Sequence, residues 1–328
     1  MGITEAVFSS SGDRIRAIQV EAATAGHSIA VKPLHTWAGR VSIRLAASVF
    51  TVLFPSDCRL CGLPLVNISR LPVCPECLSA MRPAAGTLCS LCGERLVSIY
   101  AASSSDGEVK CGLCRRIEPP FMRAVAYGGF EGGLRELIHL LKYSGVRPAA
   151  NVLGRMLAEA IAELKPSFSP SSVIVIPVPL YRGKLRQREF NHAELIARAA
   201  TKIVGRSGRL QMGPDLLERK RETSSQAGLT SHQRRENVRG AFGVMRPELV
   251  KDREILIVDD VYTTGATVSE CARVLRRAGA TKVWVATVAR TMKIVQQQIK
   301  IELPGQPPME VSGEEFPLTI AAAGGSGD

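Results

Sequence analysis

An α/β architecture, with a parallel sheet covered by helices and a small cysteine-rich module ahead of it, follows from three features of this 328-residue chain. Over residues 122–290, strand-like and helix-like patterns alternate, as expected when a parallel sheet carries helices on both faces. Upstream of that, eight of the nine cysteines fall in four C-x2-C pairs. Finally, ILIVDDVYTTGAT (255–267) runs from a continuous apolar stretch into an acidic pair and then a Thr/Gly loop.

In chain order, residues 1–45 lack sustained periodicity and are expected to be a flexible extension. The stretch LAASVFTVLFP (Leu45–Pro55) is apolar, but shorter than the ~18 residues that cross a bilayer. It lies too deep in the chain for a secretory signal, and no small-residue cleavage pattern follows it. A short helix packed on the body is the expectation. No membrane insertion is expected, and the expected location is cytoplasmic.

Residues 46–118 form the cysteine module, with pairs Cys58/Cys61, Cys74/Cys77, Cys89/Cys92 and Cys111/Cys114. Each pair offers two thiolates from a tight knuckle, and two knuckles complete a tetrahedral four-thiolate zinc site. The spacers, 12 residues between Cys61 and Cys74 and 18 between Cys92 and Cys111, suit zinc ribbons. Two structural zinc ions are expected. Sequential pairing is simplest, while a cross-braced arrangement stays open. Disulfides fit poorly with four regular knuckles and no secretory signal. A Ser-rich insert, 101–107, reads as a loop between knuckles. The ninth cysteine, Cys271, falls on an apolar helix face and reads as a small buried hydrophobe.

Residues 119–292 form the α/β domain. Strands are expected at Met122–Tyr127, Val173–Ile176, Ile255–Val258 and Lys282–Ala289. Helices are expected near Gly132–Tyr143, Ala150–Leu164, Asn191–Val204 and from Thr267, where Val268, Cys271, Ala272 and Leu275 share a face. The tail, 293–328, is rich in Gln, Pro and Gly and is expected to lack fixed structure.

The chemistry concentrates after the strand at 255–258. Asp259 and Asp260 follow at its carboxyl end, where open α/β sheets place ligands. Thr263, Thr264, Gly265, Ala266 and Thr267 are small enough to let the backbone approach an anion, and a helix N-terminus follows. Carboxylates that accept from vicinal hydroxyls, beside a loop that holds a phosphate, describe a site for a ribose 5-phosphate. No Walker loop or G-x-G-x-x-G is present, so neither a P-loop NTPase nor a dinucleotide enzyme is supported.

Charge points the same way. The net charge is +12, and residues 181–240 hold 14 Lys/Arg against 6 Asp/Glu. Such a segment suits a polyanion, and a solvated basic surface is the bland alternative. Strand 173–176 ends at Pro177-Val178-Pro179, and Arg182, Lys184, Arg186 and Arg188 follow at every second position. In an extended conformation they would project to one side and converge on an anion. A polar stretch from Glu218 to Phe242 offers Arg219, Lys220, Arg221, Thr223, Gln226, Arg235 and Asn237. His139, His192 and His232 have no partner carboxylate at a defined spacing and read as incidental.

The acidic pair followed by TTGAT resembles the phosphoribosyl-pyrophosphate (PRPP) signature of the type I phosphoribosyltransferases. With the four knuckles, then FMRAVAYGGFEGGLRELIHLLKYSG, IPVPLYRGKLRQREFNHAELIA and RKRETSSQAGLTSHQRRENVRGAF, the order from Phe54 to Arg290 resembles the ComF family of bacterial competence-related proteins. The resemblance implies a type I phosphoribosyltransferase-like parallel sheet behind a double zinc ribbon. It implies PRPP bound with Mg2+, with Asp259 and Asp260 on the ribose hydroxyls and Thr263 to Thr267 on the 5′-phosphate. It places Val178, Pro179 and Arg182 around the pyrophosphate, with main-chain amides as its cradle, and makes 218–242 a closing hood. Glycosyltransferase-class chemistry linked to DNA uptake or the use of external DNA is implied, without an acceptor. Glu189 and His192 depart from the family, which often carries Gly and Gln there. The competing reading is a non-catalytic factor that contacts single-stranded DNA through its basic segment, or docks DNA-uptake machinery proteins through its ribbons.

Overall fold

The computed structural model describes residues 56–65, 69–96, 108–205, 209–223 and 230–292, which all fall in one compact unit. The expected extension, the apolar segment 45–55, the Ser-rich insert and the tail lie outside the described residues. In chain order the elements are α1 (Pro75–Ala80), α2 (Gly112–Arg116), β1 (Arg123–Gly129), α3 (Gly132–Tyr143), α4 (Ala149–Ala162) and β2 (Val173–Pro177). There follow α5 (Arg182–Arg188), α6 (His192–Val204), β3 (Leu210–Met212), β4 (Leu217–Arg219), α7 (Ser231–Val238), β5 (Phe242–Val244) and α8 (Pro247–Val250). The last are β6 (Glu254–Tyr262), α9 (Ala266–Arg277) and β7 (Lys282–Arg290).

Five strands form a parallel sheet in the order β1-β7-β6-β2-β3. β2 and the first half of β6 are buried at every position, because a parallel strand in mid-sheet is covered on both faces. Alternate residues feed two cores. Val173, Val175, Leu256, Val258, Trp284 and Ala286 pack with α3, α4 and α6. Ile174, Ile176, Ile255, Ile257, Val283 and Val285 pack on the other face with α9. Cys271, on α9, is fully buried there. Among the described residues, no helix is long and apolar enough to cross a membrane.

The two ribbons repeat one hydrogen-bond pattern. Gly62 N–H donates to Cys58 O (2.8 Å) as Gly93 N–H does to Cys89 O (2.9 Å). Both glycines have positive φ (74° and 69°), which the tight knuckle turn demands. The first ribbon joins the α3/α4/α6 core through Cys58, Leu65, Val73 and Cys74, and the second joins the α9 core through its four cysteines.

Three strands and five helices escaped the sequence pattern. β3, β4 and β5 have three residues each and α8 has four, too short for a period to register. The stretch Arg182–Arg188 is helical, not extended, so the alternating cations do not share one side. Residues two apart on a helix are rotated by about 200°. Lys184 and Arg188 therefore share one face and Arg182 and Arg186 another.

Helices α4 and α6 meet at Gly154, where an added Cβ would lie 2.4 Å from Ala199 Cβ. Gly154→Ala is expected to destabilise the fold by about 1–3 kcal/mol through overpacking. Urea unfolding measures this, and an unchanged midpoint would contradict the close helix approach.

Candidate functional site

Proline decides where the site opens. Pro177 is the last residue of β2 and pairs with Val258, whereas β6 continues for four more residues alongside β7. Asp259 and Asp260 thus emerge on the β2 side of a ladder that has already stopped. They face a cavity of about 380 Å3 whose lining includes Val178, Pro179, Lys184, Arg188, Thr263, Gly265, Ala266 and Thr267.

The two carboxylates have different surroundings. Asp260 Oδ2 lies 2.5 Å from Lys142 Nζ, at the end of α3, and 2.9 Å from His192 Nε2, at the start of α6. Burial alone would raise this carboxyl, but Lys142 and His192 outweigh it and hold Asp260 far below the ordinary carboxylate range. Burial likewise works against the Lys142 ammonium, yet Asp260 raises it. On the other side of His192, Arg188 Nη1 approaches Nδ1 (3.5 Å), leaving Nε2 as the donor to Asp260. Asp259 has no such partner. Burial, with the charge of Asp260 beside it, pushes Asp259 up to about 7. One carboxylate is therefore fixed as an anion and its neighbour titrates near neutrality.

The loop after β6 turns at Gly265, which is in the left-handed region (φ 75°) and serves as N-cap of α9 without a capping side chain. The first-turn amides of α9 therefore have no side-chain cap, at the edge of this cavity. Thr264 Oγ1 is buried without a hydrogen-bond partner.

The basic residues sort by geometry. Lys184 and Arg188 line the cavity, as do Arg219, Thr223 and Arg234, while Arg182 does not. Val178 donates its N–H to Val258 O (2.8 Å), and Pro179 has no N–H, so neither supplies an amide to an anion. Instead, Val178 O accepts from Asn191 Nδ2 (3.0 Å), and Asn191 caps α6 through Ala193 N–H. The stretch expected to be a polar hood is more ordered than its composition suggests. β4 and β5 pair around Phe242, over whose ring Arg219 sits at 5.4 Å. Gln226 lies outside the described residues.

Lys142 gave no signal of its own, being one cation at a helix end. His192 read as incidental because its partner comes from a distant strand. The available clue was the departure from the family: Gln, like His, can donate to a carboxylate.

The cysteines divide sequentially. Cys58, Cys61, Cys74 and Cys77 cluster with ligand atoms within 4.8 Å of one another, as do Cys89, Cys92, Cys111 and Cys114. Cys61 and Cys74 Sγ are 3.8 Å apart and Cys92 and Cys111 Sγ 3.7 Å, against about 3.8 Å for the edge of a tetrahedron with Zn–S of ~2.3 Å. Backbone amides point at the sulfurs: Cys74 N–H to Cys58 Sγ and Cys111 N–H to Cys89 Sγ, both 3.3 Å. Burial raises the Cys58 thiol, but the amides of Cys74, Cys61 and Leu60 outweigh it and draw it down to about 6. Both sets fit structural zinc held by four thiolates.

Lys142→Met would leave Asp260 buried with His192 alone. The expected cost is about 3–5 kcal/mol of stability, read by urea unfolding at pH 7. Asp260 titrates low when folded, so its contribution is complete above the unfolded carboxylate range and disappears only in strong acid. A loss under ~1 kcal/mol would show that the ion pair does not hold the site.

Comparison with known proteins agrees with this geometry. A double zinc ribbon domain matches residues 49–118 and a phosphoribosyl transferase domain matches residues 211–302. DNA utilization protein YhgH of Escherichia coli O157:H7 is 32% identical over 239 residues, 73% of this chain and 98% of that protein. Competence protein F of Haemophilus influenzae is 27% identical, covering 66% of this chain and 96% of its own. Competence protein ComFC of Bacillus subtilis (strain 168) is 24% identical, covering 63% and 79%. The chain belongs to the ComF family of DNA utilization and competence proteins, which join a double zinc ribbon to a phosphoribosyltransferase domain.

Proposed function

We propose that this protein binds PRPP with Mg2+ at the β6–α9 loop and transfers its phosphoribosyl group, in the service of DNA uptake or the use of external DNA. The observation that carries the reading is the uncapped α9 N-terminus behind Thr263, Gly265, Ala266 and Thr267, with Asp259 beside it and cations opposite, all on one cavity. The 5′-phosphate takes the loop amides. Asp259 accepts from the ribose hydroxyls, while Asp260, tied to Lys142 and His192, sets the field around it. Lys184, Arg188, Arg219 and Arg234 receive the pyrophosphate.

In the reaction the bond from ribose C1 to pyrophosphate oxygen breaks with its electron pair going to pyrophosphate. The acceptor's lone pair then forms the new bond to C1, and the acceptor loses a proton. Asp259 is the residue that would hold Mg2+ together with substrate oxygens, and the ion would neutralise charge on the departing pyrophosphate. The β4–β5 ribbon and α7 bring Arg219 and Arg234 over the opening, where they would help exclude water. Eight thiols arranged for metal rather than disulfides support a reducing, cytoplasmic location.

Asp259 must be ionised to accept from the hydroxyls and to ligate the metal, and it titrates near 7. PRPP affinity with Mg2+ should therefore rise about tenfold between pH 6 and pH 8 beyond the change seen in Asp259→Asn. Calorimetric titration tests this, and equal binding by wild type and Asp259→Asn would remove the assignment.

A second reading, contact with single-stranded DNA, is favoured by the rim beside the cavity. Tyr143 is 70% exposed with Arg188 5.2 Å over its ring, and Arg147 stacks on Phe190 at 4.9 Å. Lys184 and Arg188, on one face of α5, would then track phosphates together with Arg147. Fluorescence anisotropy with an oligonucleotide should give a log–log salt slope of about −2 for three such contacts. A slope near zero would defeat this reading.

A further inference from the structure

One buried guanidinium joins the second ribbon to the phosphate loop. Arg290 ends β7 and is 4% exposed. Its Nη2 lies 2.7 Å from Glu94 Oε2 and 3.6 Å from Cys92 Sγ, and its guanidinium carbon sits 4.1 Å from the centre of the Tyr262 ring. Tyr262 ends β6, pairs in register with Arg290 and is itself buried. The far edge of its ring closes on Gly265, where an added Cβ would lie 2.2 Å from Tyr262 Oη and 2.5 Å from Cζ. Direct contacts thus run from a metal-binding sulfur, through Arg290 and Tyr262, to the N-cap of α9.

The chemistry explains why an arginine stands there. Four thiolates around Zn2+ carry a net charge of about −2, a buried anion that needs compensation. Arg290 Nε and Nη1 are buried without hydrogen-bond partners, so the side chain is not held by a full set of directional bonds. What holds it is Glu94, the sulfur of Cys92 and the face of Tyr262. With the metal gone, the four sulfurs lose the centre that fixes them against Arg290. The first ribbon packs instead into the α3/α4/α6 core.

We propose that Arg290 is a positioning residue that couples occupancy of the Cys89–Cys92–Cys111–Cys114 site to the shape of the phosphate loop, so that the second zinc centre, unlike the first, is needed for an ordered loop. The consequence for PRPP rests on the function proposed above; the coupling between ribbon and loop does not.

Hydrogen–deuterium exchange on the full, zinc-replete chain reads the loop directly. Arg290→Met and Cys114→Ser, which removes a ligand other than the Cys92 that Arg290 meets, should each speed amide exchange over residues 262–268 by about tenfold. Cys61→Ser, in the first ribbon, should leave that rate unchanged. The Arg290→Met/Cys114→Ser double variant should go little beyond either single one, because both cut the same link. An unchanged loop in Arg290→Met, additive effects, or equal effects of Cys61→Ser and Cys114→Ser would overturn the proposal. If Arg290→Met does not fold, the wild type decides through equilibrium competition for zinc with a zinc-selective chelator. By reciprocity, PRPP with Mg2+ should tighten the affinity for one of the two ions about fivefold or more. Equal tightening of both, or of neither while calorimetry shows PRPP bound, would overturn it. Absence of PRPP binding would sink the proposed function instead, and Arg290→Lys exchange would then decide: a loop as ordered as wild type refutes a coupling that needs the planar stack on Tyr262.

Discussion

A carboxylate that has almost no contact with water organises the functional end of this fold. Asp260 is 4% exposed, and an uncompensated charge at that depth would cost several kcal/mol. Compensation comes from two directions, Lys142 at the end of α3 and His192 at the start of α6. Those helices cannot supply their cations unless both converge on the carboxyl edge of β6. The convergence builds the cavity wall: α3 brings Tyr143 and His139, and α6 draws the end of α5 inward, with Arg188 against His192. Burial first, and then the charge of Asp260 held as an anion, leave its neighbour as the carboxylate that titrates near neutrality. A single buried charge thus positions two helices and gives adjacent aspartates separate tasks.

Much of this was legible in the sequence, for physical reasons that differ from part to part. The central strands announced themselves because burial on both faces leaves only apolar residues, as in Val173–Ile176 and Ile255–Val258. The loop was legible because close approach to an anion restricts side chains to Thr, Gly and Ala, and the knuckles because tetrahedral thiolates fix Cys spacing. The edge strand β3 and the hood were not, since β3, β4 and β5 take their stability from neighbours rather than from local periodicity. α5 misled for a related reason. It buries no residue, so it carries no apolar stripe, and charges at every second position imitate an exposed strand. Lys142 and His192 matter only through Asp260, a long-range contact that no local pattern records.

The ribbons are continuous with the body rather than appended to it. Each contributes cysteines to a core that also contains sheet residues, so each zinc site stabilises packing beyond its own knuckles. Their burial differs: Cys61 of the first is exposed, whereas all four sulfur-bearing residues of the second are buried. The sealed site lies against the end of β7, and its charge has to be answered from within the α/β domain. The exposed site can be answered partly by water. Two repeats of one motif therefore carry different electrostatic obligations because of where they dock.

The turn between α5 and α6 shows how local strain is tolerated when it fixes a functional contact. Glu189 closes α5 in the left-handed region (φ 64°), where a side chain costs about 1–2 kcal/mol relative to glycine. Its carboxylate meets Arg147 at 3.3 Å, but both side chains are exposed, and such a pair returns little of that energy. The conformation is imposed from the other end. Asn191 must reach Val178 O while capping α6, and His192 must reach Asp260 from the first turn of the same helix. Three residues make the reversal from α5 into that geometry, and Glu189 supplies its positive φ. Glycine would relieve the strain, yet it would also loosen the link that keeps Arg188 facing the cavity and His192 on its carboxylate. A stiff residue there trades stability for alignment, at the junction where the basic helix meets the buried charge.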